Sequence, residues 1–248
     1  MYFKYFIIPF LYFISINITT GQNKTSFKKN YLWFDNQVGI ENTGLFNGLR
    51  YEEKYRMTNS NHKFYRSRDY LVGDIIYDNQ TYYNIKMKYD IFENHVIVNL
   101  VTNTGNNILK LLNSKLEGFS ISENEFTKIS NSTIQNSNNK MNGFFEVLFK
   151  EPTLILYKKY KKEAKKNINK KYLYFTFKNE NKYYCYNINN YYLIKSKKDW
   201  INIFPNQKKL VLSFYNENKI LQKSNYDSFL KQLCKKLNNS IVYNTSLN

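Results

Sequence analysis

Residues 71–100 read LVGDIIYDNQTYYNIKMKYDIFENHVIVNL, and their alternation decides the fold. Leu71, Gly73, Ile75 and Tyr77 alternate with Val72, Asp74 and Ile76, and Asp78-Asn79-Gln80 supplies a turn. Tyr83, Ile85, Met87 and Tyr89 then alternate with Asn84, Lys86 and Lys88. A period of two, broken by turn formers, predicts a hairpin. Glu93-Asn94 offers a second turn, after which Val96, Val98 and Leu100 face one way and His95, Ile97 and Asn99 the other. Three strands follow one another as a meander.

Downstream, shorter apolar runs at 108–112, 116–121 and 126–129 extend the sheet, and 130–142 (SNSTIQNSNNKMN) reads as a solvated loop. Residues 144–149 and 153–157 form a strand pair around Glu151-Pro152. Past the lysine-dense stretch 158–171, residues 172–177 and 183–188 read as a hairpin turned at Asn179-Glu180-Asn181, with 191–194 after it. Upstream, 23–48 scatters Tyr31, Trp33 and Phe34 among Asn36, Gly39, Gly44 and Gly48 and reads as a loop-rich lead-in.

The last fifty residues change period. Ser196 and Asp199 have the spacing of a capping box, Pro205 ends that helix, and Leu210, Val211 and Phe214 share one face of 207–217. A second cap, Ser224 with Asp227, introduces the stripe Tyr226, Phe229, Leu230, Leu233, Cys234 and Leu237. The expected class is α+β, mostly β: an antiparallel β-meander, curled or half-barrel, over 22–195, with two or three C-terminal helices of 196–248 packed on the sheet.

Composition agrees with sheet. Tyr (24) and Phe (19) suit half-buried pleated surfaces, whereas eight Gly and three Pro leave little for a loop-dominated design. The net charge of +18 is uneven: residues 150–248 carry 21 Lys and Arg against six acids, and the rest of the chain is nearly balanced. Such a field attracts anionic partners. Equally, abundant Lys, Asn, Ile and Tyr is the mixture that an A+T-rich genome produces, with the lysines merely solvated.

Residues 1–18 (MYFKYFIIPFLYFISINI) place one early Lys4 before an apolar run and small polar residues. That order is a secretory signal, expected over 1–21; the run is short for a bilayer span, which makes an uncleaved anchor the lesser reading. Export to the periplasm or beyond is expected, with no transmembrane span after cleavage. Cys185 and Cys234 would then sit where a disulfide is permitted, although each also reads as a small buried hydrophobe.

No G-x-S-x-G elbow, H-E-x-x-H helix, Walker A loop or G-x-G-x-x-G fingerprint occurs, and no C-x-x-C pair. No catalytic residue, cofactor or metal is assigned. His62 and His95 read as surface or strand-edge residues, and a metal would still need carboxylates nearby. Glu52, Glu53, Asp90 and Glu93 are the acids that glycoside chemistry would draw on. Each has a plainer reading, Asp90 and Glu93 as brackets of the turn between two strands. The candidate polyanion contacts are Lys158, Lys159, Lys161, Lys162, Lys165 and Lys166, interleaved with Tyr157 and Tyr160. A strand running into a solvated loop would look the same.

The stretches Asn47-Gly48 with Tyr51, 72–98, 143–162 and 192–219 together resemble exported proteins of unassigned function from the Bacteroidetes, of flavobacterial type. The likeness spans most of the mature chain. It implies export and architecture, and brings no reaction, cofactor or active-site residue. The expected role is that of a non-enzymatic cell-envelope protein, binding or structural, whose partner is an anionic envelope component or another envelope protein; export disfavours nucleic acid. Competing roles are a periplasmic carrier of a lipid or other small apolar ligand and an unrecognised hydrolase.

Overall fold

A computed structural model describes residues 24–245 apart from 59, 136–139 and 170; the expected signal, 1–21, lies outside them. The described chain enters through helix α1 (Lys24–Val38) and the short strand β1 (Leu49–Arg50). The helix replaces the expected loop. Residues 24–38 contain neither Gly nor Pro, and Gly39 stops them by taking φ of 81° and donating its N–H to the Asp35 carbonyl at 2.9 Å.

Strands β2 (Leu71–Tyr77), β3 (Gln80–Asp90), β4 (His95–Thr102) and β5 (Gly105–Lys110) are the expected antiparallel meander. One face differs in detail. Asn84 adopts φ of 57°, and the β2–β3 register shifts between Gly73↔Ile85 and Ile75↔Tyr82. This bulge turns Tyr82 into the core and leaves Tyr83, the residue in the alternating series, half-exposed.

After β5 the chain crosses back and lays β6 (Leu116–Ile121) beside β2, so the sheet is not a simple meander. The close approach needs Gly73: a Cβ there would fall 1.8 Å from the Ser120 carbonyl oxygen. Strands β7 (Asn124–Thr133), β8 (Lys140–Glu151) and β9 (Leu154–Lys159) continue outward, and β7 and β8 take up most of the expected loop 130–142.

Next come β10 (Lys162–Ile168) and β11 (Leu173–Asn179), which pair only with each other. Strands β12 (Lys182–Asn187) and β13 (Asn190–Ile194) finish the main sheet, with β12 on β9. The expected hairpin of 172–177 with 183–188 therefore does not form, because each strand has a better partner upstream. The eleven strands run β1-β5-β4-β3-β2-β6-β7-β8-β9-β12-β13 and do not close into a barrel.

Four helices follow: α2 (Lys197–Ile203), α3 (Lys208–Glu217), α4 (Lys219–Ser224) and α5 (Tyr226–Thr245). The Ser196–Asp199 capping box forms as expected. The second cap shifts: Asn225 Oδ1 accepts the Ser228 N–H at 2.9 Å, which frees Asp227 to face the sheet. Trp200, Phe214, Phe229, Leu233 and Leu237 bury against Leu148, Leu154, Leu156 and Cys185, so the helices cover one face of the β8–β9–β12–β13 end. Cys185 and Cys234 are both free and buried in that cluster, and burial pushes both thiols above their usual range. A second core, of Tyr65, Tyr77, Tyr82, Tyr89, Phe119, Phe126 and Phe144, fills the β2–β8 part; Phe119 and Phe126 stack at 4.7 Å. No helix among the described residues is long and apolar enough to cross a membrane.

Candidate functional site

The β10–β11 hairpin pairs with no strand of the main sheet and is moored by residues 55–64, from Lys162 at its base to Phe175 in mid-strand and Tyr172 near its turn. Phe175 N–H donates to the Arg56 carbonyl at 2.9 Å, and Asn61 bonds both the N–H and the carbonyl of Phe177. The rings of Phe175 and Phe177 meet Tyr55 edge-on. At the other end the turn is closed by Asn169 Oδ1, which accepts the N–H groups of Lys171 and Tyr172 at 2.9 Å. Ile168 is 78% exposed there, with Tyr172 and Leu173 also open to water. Arg56 lies 3.6 Å from the Tyr172 ring centre.

Residues 161–182 carry eight lysines against two acids. The acids pair locally, Glu163 with Lys161 and Glu180 with Lys178, each at 2.7 Å. The tip thus combines apolar side chains with uncompensated cations.

The six candidate lysines do not form one stripe. Lys158 is 6% exposed, and its ammonium meets Asp227 Oδ2 at 2.5 Å. Lys159 turns inward to Asn94 Oδ1 and the carbonyls of Asn142 and Phe144, and burial pulls its pKa down to about 8. Lys162 donates to the carbonyls of His62 and Phe64 at 2.6 and 3.0 Å. Of the six, only Lys161, Lys165 and Lys166 face water, and Lys165 and Lys166 meet no acid among the described residues. The division follows the partners each segment meets: Lys158 and Lys159 belong to β9 inside the main sheet and find Asp227 and Asn94, whereas Lys165 and Lys166 belong to a hairpin paired only with itself.

The strap 51–65 that moors the hairpin also closes a buried ion cluster on its other side. Asp90 and His95 are the last pair of the β3–β4 hairpin and lie opposite each other. Glu93, in the turn between them, donates its N–H to Asp90 Oδ1 at 2.9 Å. Into this corner the strap brings Lys63, 1% exposed, whose ammonium lies 2.8 Å from Asp90 Oδ2, 3.2 Å from Glu53 and 3.8 Å from Glu93. Tyr51 donates to Glu53 at 2.6 Å, and the Tyr55 ring centre lies 4.6 Å from the ammonium. His95 Nε2 is 3.6 Å from Glu93 and 3.9 Å from Asp90, and it has no hydrogen-bond partner.

Burial dominates the electrostatics here. It pushes the Asp90 carboxyl up against the opposing pull of Glu93 N–H and Lys63. It pulls His95 down in spite of the carboxylates, which favours the neutral imidazole. For Lys63, burial opposes the charge, but the bonds to Asp90 and Glu53 outweigh it and hold the ammonium above its ordinary value.

Of the acids and histidines singled out in the sequence, the structure joins Glu53, Asp90, Glu93 and His95. Glu52 points outward, and His62 instead accepts the Phe64 N–H through Nδ1 at 3.2 Å. Lys63 was missed. It sits in a polar run without period, and only its place between two turn-rich stretches hinted at anchorage. No family model matches the chain, and no curated protein or solved structure does either.

Proposed function

We propose that the chain is an exported, non-enzymatic envelope protein that works by docking on an anionic lipid surface through its β10–β11 hairpin. The observation that carries this reading is the tip itself: Ile168, Tyr172 and Leu173 exposed beside Lys165, Lys166 and Lys171, with no acid among them. A soluble polyanion needs only the cations. Apolar side chains between the cations suit the boundary of headgroup and acyl chain, where an aromatic or aliphatic wedge is buried and lysines meet phosphates. Helices α2–α5 add nine lysines against three acids, of which Asp199 and Asp227 face backbone and Lys158. Their field favours the same partner.

The ion cluster supports binding over catalysis as the reading. Asp90 is fully buried and the Lys63 ammonium lies against it, so that carboxylate serves better as a structural anchor than as a proton-transfer group. A carrier of a small apolar ligand is the second reading. It rests on an open surface depression where Tyr31, Trp33 and Phe34 of α1 meet Asn79 and Gln80.

Sedimentation with vesicles tests the proposal. The purified protein is expected to bind phosphatidylglycerol vesicles and not phosphatidylcholine, with affinity falling as salt rises. Each lysine near such a surface is worth ~1 kcal/mol, so Lys165→Glu with Lys166→Glu is expected to weaken binding roughly a hundredfold. Equal binding to neutral vesicles, or an unweakened double variant, contradicts it.

A further inference from the structure

The ion cluster at the base of the strap does not balance. Glu53, Asp90 and Glu93 bring three carboxylates, and Lys63 is the single ammonium in contact with them among the described residues. Lys110 acts on His95 at longer range and makes no ion pair with the cluster among the described residues. The surplus is two formal negative charges; Glu53 and Glu93 keep about a third of their side chains in water, but Asp90 is wholly buried, so a further cation beside it would be stabilising.

A second observation points to what that cation is. His95 is 7% exposed, and its Nε2 is aimed into the same corner with no hydrogen-bond partner. A buried imidazole nitrogen without a partner is unusual, because leaving it so costs about 1–3 kcal/mol. A metal ion would satisfy it.

The geometry suits one. One oxygen each from Asp90 and Glu93 and Nε2 of His95 all lie within 4.8 Å of one another. The two edges from His95 are 3.6 and 3.9 Å. Bonds of ~2.0–2.1 Å in a tetrahedral site set shorter ligand separations than this, so an inward rotation of Glu93 and a contraction of the Asp90–His95 edge by about half an ångström complete the set. Glu53 remains the partner of Lys63 at 3.2 Å. A divalent ion then brings the cluster to neutrality.

We propose that Asp90, Glu93 and His95 bind a divalent first-row metal ion of zinc's class. The imidazole selects against Mg²⁺ and Ca²⁺, which prefer all-oxygen sets. This site is independent of the lipid-docking reading, although it lies under the strap that moors the hairpin: Lys63 and Glu53 belong to the same segment as Arg56 and Asn61.

Cobalt and zinc are the probes, on the full chain. Co²⁺ is expected to bind one ion per chain with the visible d–d bands of a low-coordinate nitrogen–oxygen site, and Zn²⁺ to displace it. His95→Ala removes a direct ligand and is expected to weaken zinc binding by about 100-fold or more, beyond the loss typical of an outer partner. Glu93→Gln changes a partly exposed side chain, is expected to fold normally, and should weaken binding as well. Zinc affinity undiminished in both variants overturns the proposal, as does failure to bind either ion at millimolar concentration. A thiolate charge-transfer band overturns it too, because it places the ion on Cys185 or Cys234.

Discussion

Lys63→Met is expected to lower the unfolding free energy by about 3–5 kcal/mol, because it removes the one ammonium among three carboxylates and leaves Asp90 buried as an unpaired charge. Lys63 is 1% exposed and Asp90 wholly buried, so water cannot make up the loss. For a domain of this size each kcal/mol moves the melting point by ~2–4 °C, so the midpoint should fall by roughly 10 °C. The double variant Lys63→Met with Asp90→Asn should recover much of this, since the orphaned charge goes with its partner. Thermal and urea denaturation check both. Zinc supplies a further arm: it should raise the midpoint of Lys63→Met more than that of the wild type, because the variant offers the ion a larger surplus of negative charge.

Asp227→Ala is the second large effect. Asp227 accepts from the Lys158 ammonium at 2.5 Å through Oδ2 and from the Tyr183 hydroxyl at 2.7 Å through Oδ1. It is the bolt between the start of α5 and strands β9 and β12. Removing it strands the buried Lys158 cation. Because Asp227 itself is a third exposed, the expected cost is reduced to about 2–4 kcal/mol. Lys158→Met in the same chain should restore part of it. Hydrogen exchange should locate the loosening at the first turns of α5, and a uniform loss of protection across the main sheet would contradict this role for the pair.

Much of this architecture was legible in the sequence. Alternation with turn formers located nearly every strand of the main sheet, and the Ser196–Asp199 spacing gave the start of the helical layer. The missing parts share a cause: they are set by partners distant in sequence. Nothing local to Leu116 says that it pairs across from Tyr77, and nothing in 172–177 says that it turns back on Lys162–Ile168. Asn84 taking a left-handed conformation swapped Tyr82 for Tyr83 in the core, a one-residue change that alternation alone does not reveal. Helix α1 was hidden by glycines that in fact begin only at its end.

The site was legible as residues and not as a place. Asp90, Glu93 and His95 stand within six positions of one another, but the plain turn reading accounted for each. Their meaning changes only when Glu53 and Lys63 arrive from a strap with no period of its own. In the same way, the run 158–166 showed its lysines but not their directions. Strand pairing sends Lys158, Lys159 and Lys162 inward and leaves Lys165 and Lys166 at the hairpin with an apolar tip.

That tip is open to a direct measurement. Ile168 is exposed and both native thiols are buried, so Ile168→Cys can be labelled selectively with an environment-sensitive fluorophore, and Ile220→Cys on α4 serves for comparison. With phosphatidylglycerol vesicles the label at 168 is expected to shift to the blue and brighten while the label at 220 stays in water. No change at 168, or a response at 220 alone, would contradict docking through the hairpin.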